Sequence, residues 1–231
     1  MTGGSGHRIG LTFVLVLAFD TATPAVTAAL HDGRKVIAES TTVDARRHGE
    51  LLAPTIQAVL RDADAHLREV TAIVAGTGPG PYTGLRVGLA TAQALSTALG
   101  VPAHGLCTLD AIAFDAGLSE PFLVATDARR KEVFWARYDD SRVRVAGPAV
   151  NRPADLPGEL PLVGAGARLY ADVLGAERIV PGSPEHPRAG ALAELAVHRM
   201  AVGGDGLDRP RPVYLRRPDA RVPGAPKRVT A

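Results

Sequence analysis

Residues 76–93, GTGPGPYTGLRVGLATAQ, have the outline of a phosphate-holding loop: an apolar run, closely spaced glycines, then a helix pattern. Such loops work by aiming free backbone N–H groups at an anion. This one is not a P-loop. That motif needs Gly-Lys-Ser/Thr, and no lysine lies between Lys35 and Lys131. Nor is it a dinucleotide fingerprint, because the glycines at 76, 78, 80 and 84 follow a fourth strand pattern rather than a first. Pro79 and Pro81 remove two N–H groups and push Gly78 and Gly80 toward extended backbone. The stretch therefore reads as a stiff connector. Thr83 is expected to cap a helix over 85–99. Arg86, in its first turn, faces an unfavourable helix dipole and calls for an acidic or carbonyl partner.

Other chemistry-bearing residues are sparse. The histidines at 7, 31, 48, 66, 104, 186 and 198 include no pair four apart, so no helix face carries two metal ligands. The serines at 5, 40, 96, 119, 141 and 183 include none in a G-x-S-x-G elbow, which argues against a peptidase. Cys107 stands alone, excluding an internal disulfide and a cysteine metal cage. The formal charge is +2 over 231 residues, so no strong field draws the whole chain to nucleic acid or membrane. Positive charge is concentrated at the C-terminal end. Arg209, Arg211, Arg216, Arg217, Arg221, Lys227 and Arg228 face only Asp219, forming a solvated basic tail or a phosphate contact.

The elements that would position these residues read as α/β. Strand patterns cover 11–19, 24–30 and 35–40. LTFVLVLAF at 11–19 imitates a signal-peptide core, but a bilayer span takes about 20 residues and a buried strand explains it better. Leu51, Leu52, Ile56, Val59, Leu60 and Ala63 follow helical spacing, and Pro54 should bend that helix or lie near its start. A strand over 70–76 precedes the glycine stretch, and Gly100 is placed to end the following helix. The pattern then restarts. PFLVATDARRKEVFWARY (121–138) echoes VLVLAFDTATPAVTAAL (14–30), with Asp20 and Asp127 in equivalent places. A third strand over 142–150 and a helix over 188–202 follow. The helix over 85–99 is small or apolar on most sides. Gly88, Ala92 and Ser96 invite close approach of another helix, from a second lobe or a partner.

The glycine stretch, LAFDTATPAVTAAL at 17–30, HGELLAPTIQAVL at 48–60, DARRKEVFWARY at 127–138 and PVYLR at 212–216 together resemble the TsaB (YeaZ) family. The resemblance implies a duplicated, two-lobed actin-like ATPase fold of the sugar kinase/Hsp70, RNase H-like type. The expected division is a leader at 1–10, lobes at 11–108 and 109–217, and a basic Pro-rich tail at 218–231. It also implies a cytoplasmic, non-catalytic subunit without a cofactor. That subunit pairs with the TsaD transferase in making threonylcarbamoyladenosine on tRNA beside the anticodon. TsaE, a small ATPase, joins the pair, and the pairing surface can also self-associate. In such a fold, Asp20, Thr21 and Asp127 would be remnants of a nucleotide site. His48, Leu51, Leu52, Ile56, Arg86, Gly88, Leu89 and Ala92 would form the partner surface. Arginine at Gly88 or Ala92 would then block pairing without unfolding the chain. TsaD-like proteins hold a metal through His-x-x-x-His; here His104 falls near the first position and Thr108 takes the second. An independent ATP-dependent transferase or kinase is the competing expectation.

Overall fold

A computed structural model of the chain describes residues 14–203 and 207–216. The leader at 1–10 and the tail at 218–231 lie outside them. The first sheet has the order β3-β2-β1-β4-β5, from β1 (Val16–Asp20), β2 (Ala25–His31), β3 (Val36–Val43), β4 (Ala72–Gly76) and β5 (Ala103–Leu106). The first three strands form an antiparallel meander, and β4 pairs parallel to β1. The second sheet has the order β8-β7-β6-β9, from β6 (Phe122–Asp127), β7 (Val133–Asp140), β8 (Val143–Asn151) and β9 (Leu162–Val163). It repeats the same start: an antiparallel meander with a parallel strand on the other side of its first strand. Asp20 ends β1 and Asp127 ends β6. This is the duplicated actin-like α/β architecture.

The central strands are apolar on both faces because helices cover both. All five residues of β1 are buried. On one face, α1 (His48–Asp62) and α2 (Tyr82–Leu99) close a core around Leu17, Phe19, Leu52, Ile56, Ile73 and Ala92. On the other face, α3 (Thr108–Ala116) and α6 (Ala189–Ala201) pack against Val16, Ala18 and Val74. Two short helices, α4 (Ala165–Leu169) and α5 (Ala171–Leu174), belong to the second sheet. Residues 109–217 do not all stay with that sheet: α6 returns to the first one, burying Leu192, Ala193 and Leu195 against it.

Pro54 lies inside α1, at an exposed position, rather than near its start, the other of the two placements open to it. Two local expectations about α2 need correction. α2 begins at Tyr82, with Pro81 rather than Thr83 before it. The φ of −58° at Pro81 already suits a helix entry, and Leu85 N donates to Pro81 O at 3.1 Å. Among the described residues, Arg86 meets neither an acid nor a carbonyl; its guanidinium lies 4.5 Å above the Tyr82 ring, one turn back. Gly100 does end the helix, in left-handed geometry at φ +68°.

Charged side chains tie the two layers. Asp110 on α3, 4% exposed, accepts from the Tyr138 hydroxyl at 2.8 Å and faces Arg144 at 3.3 Å and Arg199 at 3.1 Å. Glu39 on β3 accepts from Gly190 N at 2.8 Å and from Arg188 at 2.5 Å, holding the start of α6. Glu39→Ala leaves Gly190 N without its acceptor, while Arg188 keeps Asp115 and Ala189 N keeps Thr27. A net loss of about 1.5–3 kcal/mol is expected, as for other hydrogen bonds to a charged group. Chemical denaturation of the variant beside the parent chain measures it.

Candidate functional site between the glycine loop and the two lobes

The end of β1 and the glycine loop are built around each other. Asp20, 1% exposed, accepts from Ala22 N at 2.6 Å through Oδ1 and from the Thr108 hydroxyl at 2.6 Å through Oδ2. The Thr108 hydroxyl also accepts from Gly78 N at 3.0 Å, and Thr108 N donates to Gly78 O at 2.8 Å. One strand end, one loop and one helix start thus share a closed hydrogen-bonded knot. Beside it, the Thr21 hydroxyl donates to Gly84 O at 2.8 Å and accepts from Gly88 N at 3.0 Å.

Close approach is why this stretch needs glycine. A Cβ on Gly76 would lie 1.7 Å from Asp20 Oδ2, and one on Gly80 would lie 2.0 Å from Ala22 O. On Gly84 and Gly88 it would lie 2.4 Å from Thr21 O and 2.6 Å from Thr21 Oγ1. The loop is a cast of the Asp20–Ala22 turn. Gly78 departs from the extended backbone expected before proline. It sits at φ +87°, which a side chain would strain.

A cleft of about 380 Å³ lies between the lobes, lined by Thr23, His48 and Thr83 on one side and Thr126, Asp127 and His186 on the other. Asp127 reaches it but is engaged locally: Oδ1 accepts from Arg129 N at 2.8 Å, and Oδ2 lies 3.6 Å from the Arg129 guanidinium. The His48 Nε2 lies 2.8 Å from Thr23 O. Burial lowers the His186 pKa, favouring the neutral ring. Thr126 Oγ1 and His186 Nδ1 are buried without a hydrogen-bond partner, so the cleft retains some polar capacity.

A metal-bound nucleotide does not fit the residues present. It would need both strand-end carboxylates, and Asp20 is sealed and committed to Thr108 and Ala22. The second half's glycines are likewise spent on packing. A Cβ on Gly164 would lie 2.4 Å from Ala125 O, and one on Gly166 would lie 2.7 Å from the Thr126 carbonyl carbon. The other candidate loop, 201–206, lies partly outside the described residues.

The expected partner-surface residues separate into two groups. Leu52, Ile56, Leu89 and Ala92 belong to the chain's own core, and Gly88 abuts Thr21. Arginine at Gly88 or Ala92 would therefore disrupt the lobe itself, not a partner contact alone. His48 and Leu51 are half-buried, and Arg86 is exposed. The open face of the two helices runs through Gly49, Ala53 and Gln57 on α1 and Ala90, Gln93 and Ala94 on α2. The pairing of Tyr82 with Tyr214 and the bonding role of Thr108 escaped the sequence reading. The two tyrosine rings meet at 5.3 Å beneath Arg86. The one sequence signal for Thr108 was its place where TsaD-like proteins carry the second histidine of a His-x-x-x-His pair.

Burial pushes the Asp20 carboxyl from its usual 3.8 up to about 6, against the lowering effect of hydrogen bonds from Thr108 and Ala22. The folded value exceeds the unfolded one, so folding takes up a proton. The resulting stabilisation is complete below about pH 4 and is lost as pH rises through about 6. At 1.36 kcal/mol per pH unit, the gap is worth roughly 3 kcal/mol. Asp20→Asn should flatten the stability profile between pH 4 and 7 by that order, read from denaturation midpoints across the range.

The comparisons with known proteins agree with this geometry. The family model described as TsaD, tRNA N6-adenosine threonylcarbamoyltransferase, matches residues 35–169. An uncharacterized protein of Mycobacterium tuberculosis is 45% identical over 212 residues, covering 89% of this chain and 93% of its own. The tRNA threonylcarbamoyladenosine biosynthesis protein TsaB of Escherichia coli is 32% identical over 87% of this chain and 94% of its own. The Bacillus subtilis TsaB is 30% identical over 90% and 96%. The solved structure of YeaZ from Pseudomonas aeruginosa superposes with a TM-score of 0.71 at 28% identity, over 87% of this chain and all of that one. With its glycine loop, its duplicated fold and relatives 30% and 32% identical over most of both chains, this chain belongs to the TsaB (YeaZ) family.

Proposed function

We propose that the chain is a non-catalytic subunit of the tRNA threonylcarbamoyladenosine system, acting by binding and activating a TsaD transferase. The observation that carries this reading is the state of Asp20. The carboxylate that an ATPase of this fold would turn toward a metal-bound phosphate is buried and bonded to Thr108 and Ala22. Thr108 stands where TsaD-like proteins carry the second histidine of their metal pair, and it is spent on the same knot. The fold is kept while its reactive groups are used for packing, which suits a partner rather than a transferase.

The docking face in this proposal is the open side of α1 and α2, through Gly49, Ala53, Ala90 and Ala94, flanked by Arg86. Small exposed residues on two adjacent helices let partner helices approach closely. A Cβ added at Gly49 would lie 3.9 Å from Val87 Cγ2, so the two helices run close together there. TsaE would join the pair, and a second copy of the chain would compete for the same face. The setting is the cytoplasm; no helix among the described residues is long and apolar enough to cross a membrane.

Reconstitution tests the reading. TsaD, TsaE, the adenylate synthase, ATP, threonine, bicarbonate and unmodified tRNA are combined with and without the chain, and modified adenosine is quantified. Product only with the chain present is the expected result; equal product without it would refute activation. Ala94→Arg should abolish pairing by gel filtration and product formation together, while changing stability by less than about 0.5 kcal/mol as an exposed substitution. Gly88→Arg should instead unfold the lobe. Wild-type pairing by Ala94→Arg would place the partner on another face.

A further inference from the structure

We infer that a second, broader cleft, on residues distinct from the interlobe site, binds the phosphate backbone of RNA. The inference rests on the reading of the chain as a component of a tRNA-modifying system. The cleft has a volume of about 1140 Å³ and shares no lining residue with the site at Thr23 and Asp127. Among the described residues, five arginines line it, Arg142, Arg144, Arg199, Arg209 and Arg211, against two aspartates, Asp110 and Asp208.

The arginines come from the start of β8, the end of α6 and the segment after it, so the fold gathers charge that the sequence scatters. The segment is anchored. Gly105 N donates to Asp208 O at 2.7 Å, and Val213 N donates to Thr77 O at 2.9 Å. Arg209 and Arg211 are thereby presented on an ordered wall of the cleft. Arg144 and Arg199 share the single charge of Asp110. Arg142 lies over the Phe114 ring at 5.8 Å. Arg209 and Arg211 are exposed. The positive charge of the cleft therefore exceeds what its aspartates neutralise.

Guanidinium groups offer flat, paired donors that match phosphate oxygens. A single phosphate would occupy a small part of this volume, and the arginines stand on several walls. An extended polyanion satisfies both facts, and RNA is the polyanion on which the proposed system acts. The first part of the basic C-terminal stretch thus contributes as one wall of a built groove rather than as a loose tail.

The test is fluorescence anisotropy of the full-length chain with labelled, unmodified tRNA between 50 and 200 mM KCl. Affinity should fall with salt, with a log–log slope of about 0.7–0.9 per neutralised phosphate. The triple variant Arg142→Ala, Arg209→Ala, Arg211→Ala leaves both arginine partners of Asp110 in place. It should bind at least about tenfold more weakly at 50 mM salt, with a slope shallower by about two. Arg211→Glu alone, at an exposed position, should move both readouts in the same direction. Unchanged affinity and slope in both variants would overturn the inference. Displacement of tRNA by ATP more readily than by poly(U) would mark a nucleotide site, and displacement by poly-glutamate more readily than by poly(U) an acidic-peptide site; either overturns it. Pairing of the triple variant with TsaD is measured alongside. Intact pairing with unchanged RNA binding defeats this inference alone. Absence of pairing in both chains, with the expected loss of RNA binding, defeats the partner reading alone.

Discussion

Everything in the first lobe depends on fitting the Asp20–Ala22 turn into the glycine loop. The contact is backbone against backbone, with Gly80 and Gly84 leaving no space for a Cβ beside Ala22 O and Thr21 O. Once the turn is seated, Asp20 is shut away from solvent, and the Thr108 hydroxyl and Ala22 N supply its hydrogen bonds, while the Thr21 hydroxyl bonds Gly84 O. The same seating fixes α2, because Gly88 N is held by Thr21, and fixes the start of α3 through Thr108. A phosphate cradle needs its N–H groups free. Here Gly78 N and Gly88 N already have partners, so the loop's resemblance to an anion site is one of outline only.

The duplication makes this clearer because the two halves diverge. After β6, the turn runs through Arg129, Arg130 and Lys131 at φ +61°, +57° and +59°, a left-handed course without glycine. Asp127 stays half-exposed and bonds its own turn, whereas Asp20 is buried and bonds across 88 residues to Thr108. The second sheet ends in the two-residue β9, where the first has β4 and β5. The halves share an origin in pattern but no longer form a symmetric site.

Much of the fold was legible in the sequence. Apolar runs closed by aspartate, turn residues at regular intervals and the restart near residue 121 marked both meanders, and Gly100 marked the end of α2. What stayed hidden was which side of α2 its own sheet would cover. Gly88, Leu89 and Ala92 recur at helical spacing, but small residues serve equally against a sheet or a partner helix. Only the position of Thr21 decides between them. Arg86 illustrates the same limit. The helix dipole called for a negative partner, and an aromatic face one turn away answered instead. The return of α6 to the first sheet, and the gathering of arginines that follows it, depend on contacts between residues about 90 positions apart or more.

The charged ties between layers bear on what kind of protein this is. Enzymes of duplicated two-lobed folds close around a ligand, and closure requires lobes free to hinge. Here Asp110 binds Tyr138 and Arg144 of the second sheet and Arg199 of α6 at once, at a site 4% exposed. Arg188 spans Glu39 on β3 and Asp115 on α3. Arg216 reaches Ala128 O and Glu132 from a segment whose other end is bonded to Gly105 and Thr77. A hinge opening would leave a buried carboxylate without its partners, at a cost of several kcal/mol. Lobes held this way resist the hinge opening that closure on a substrate would need.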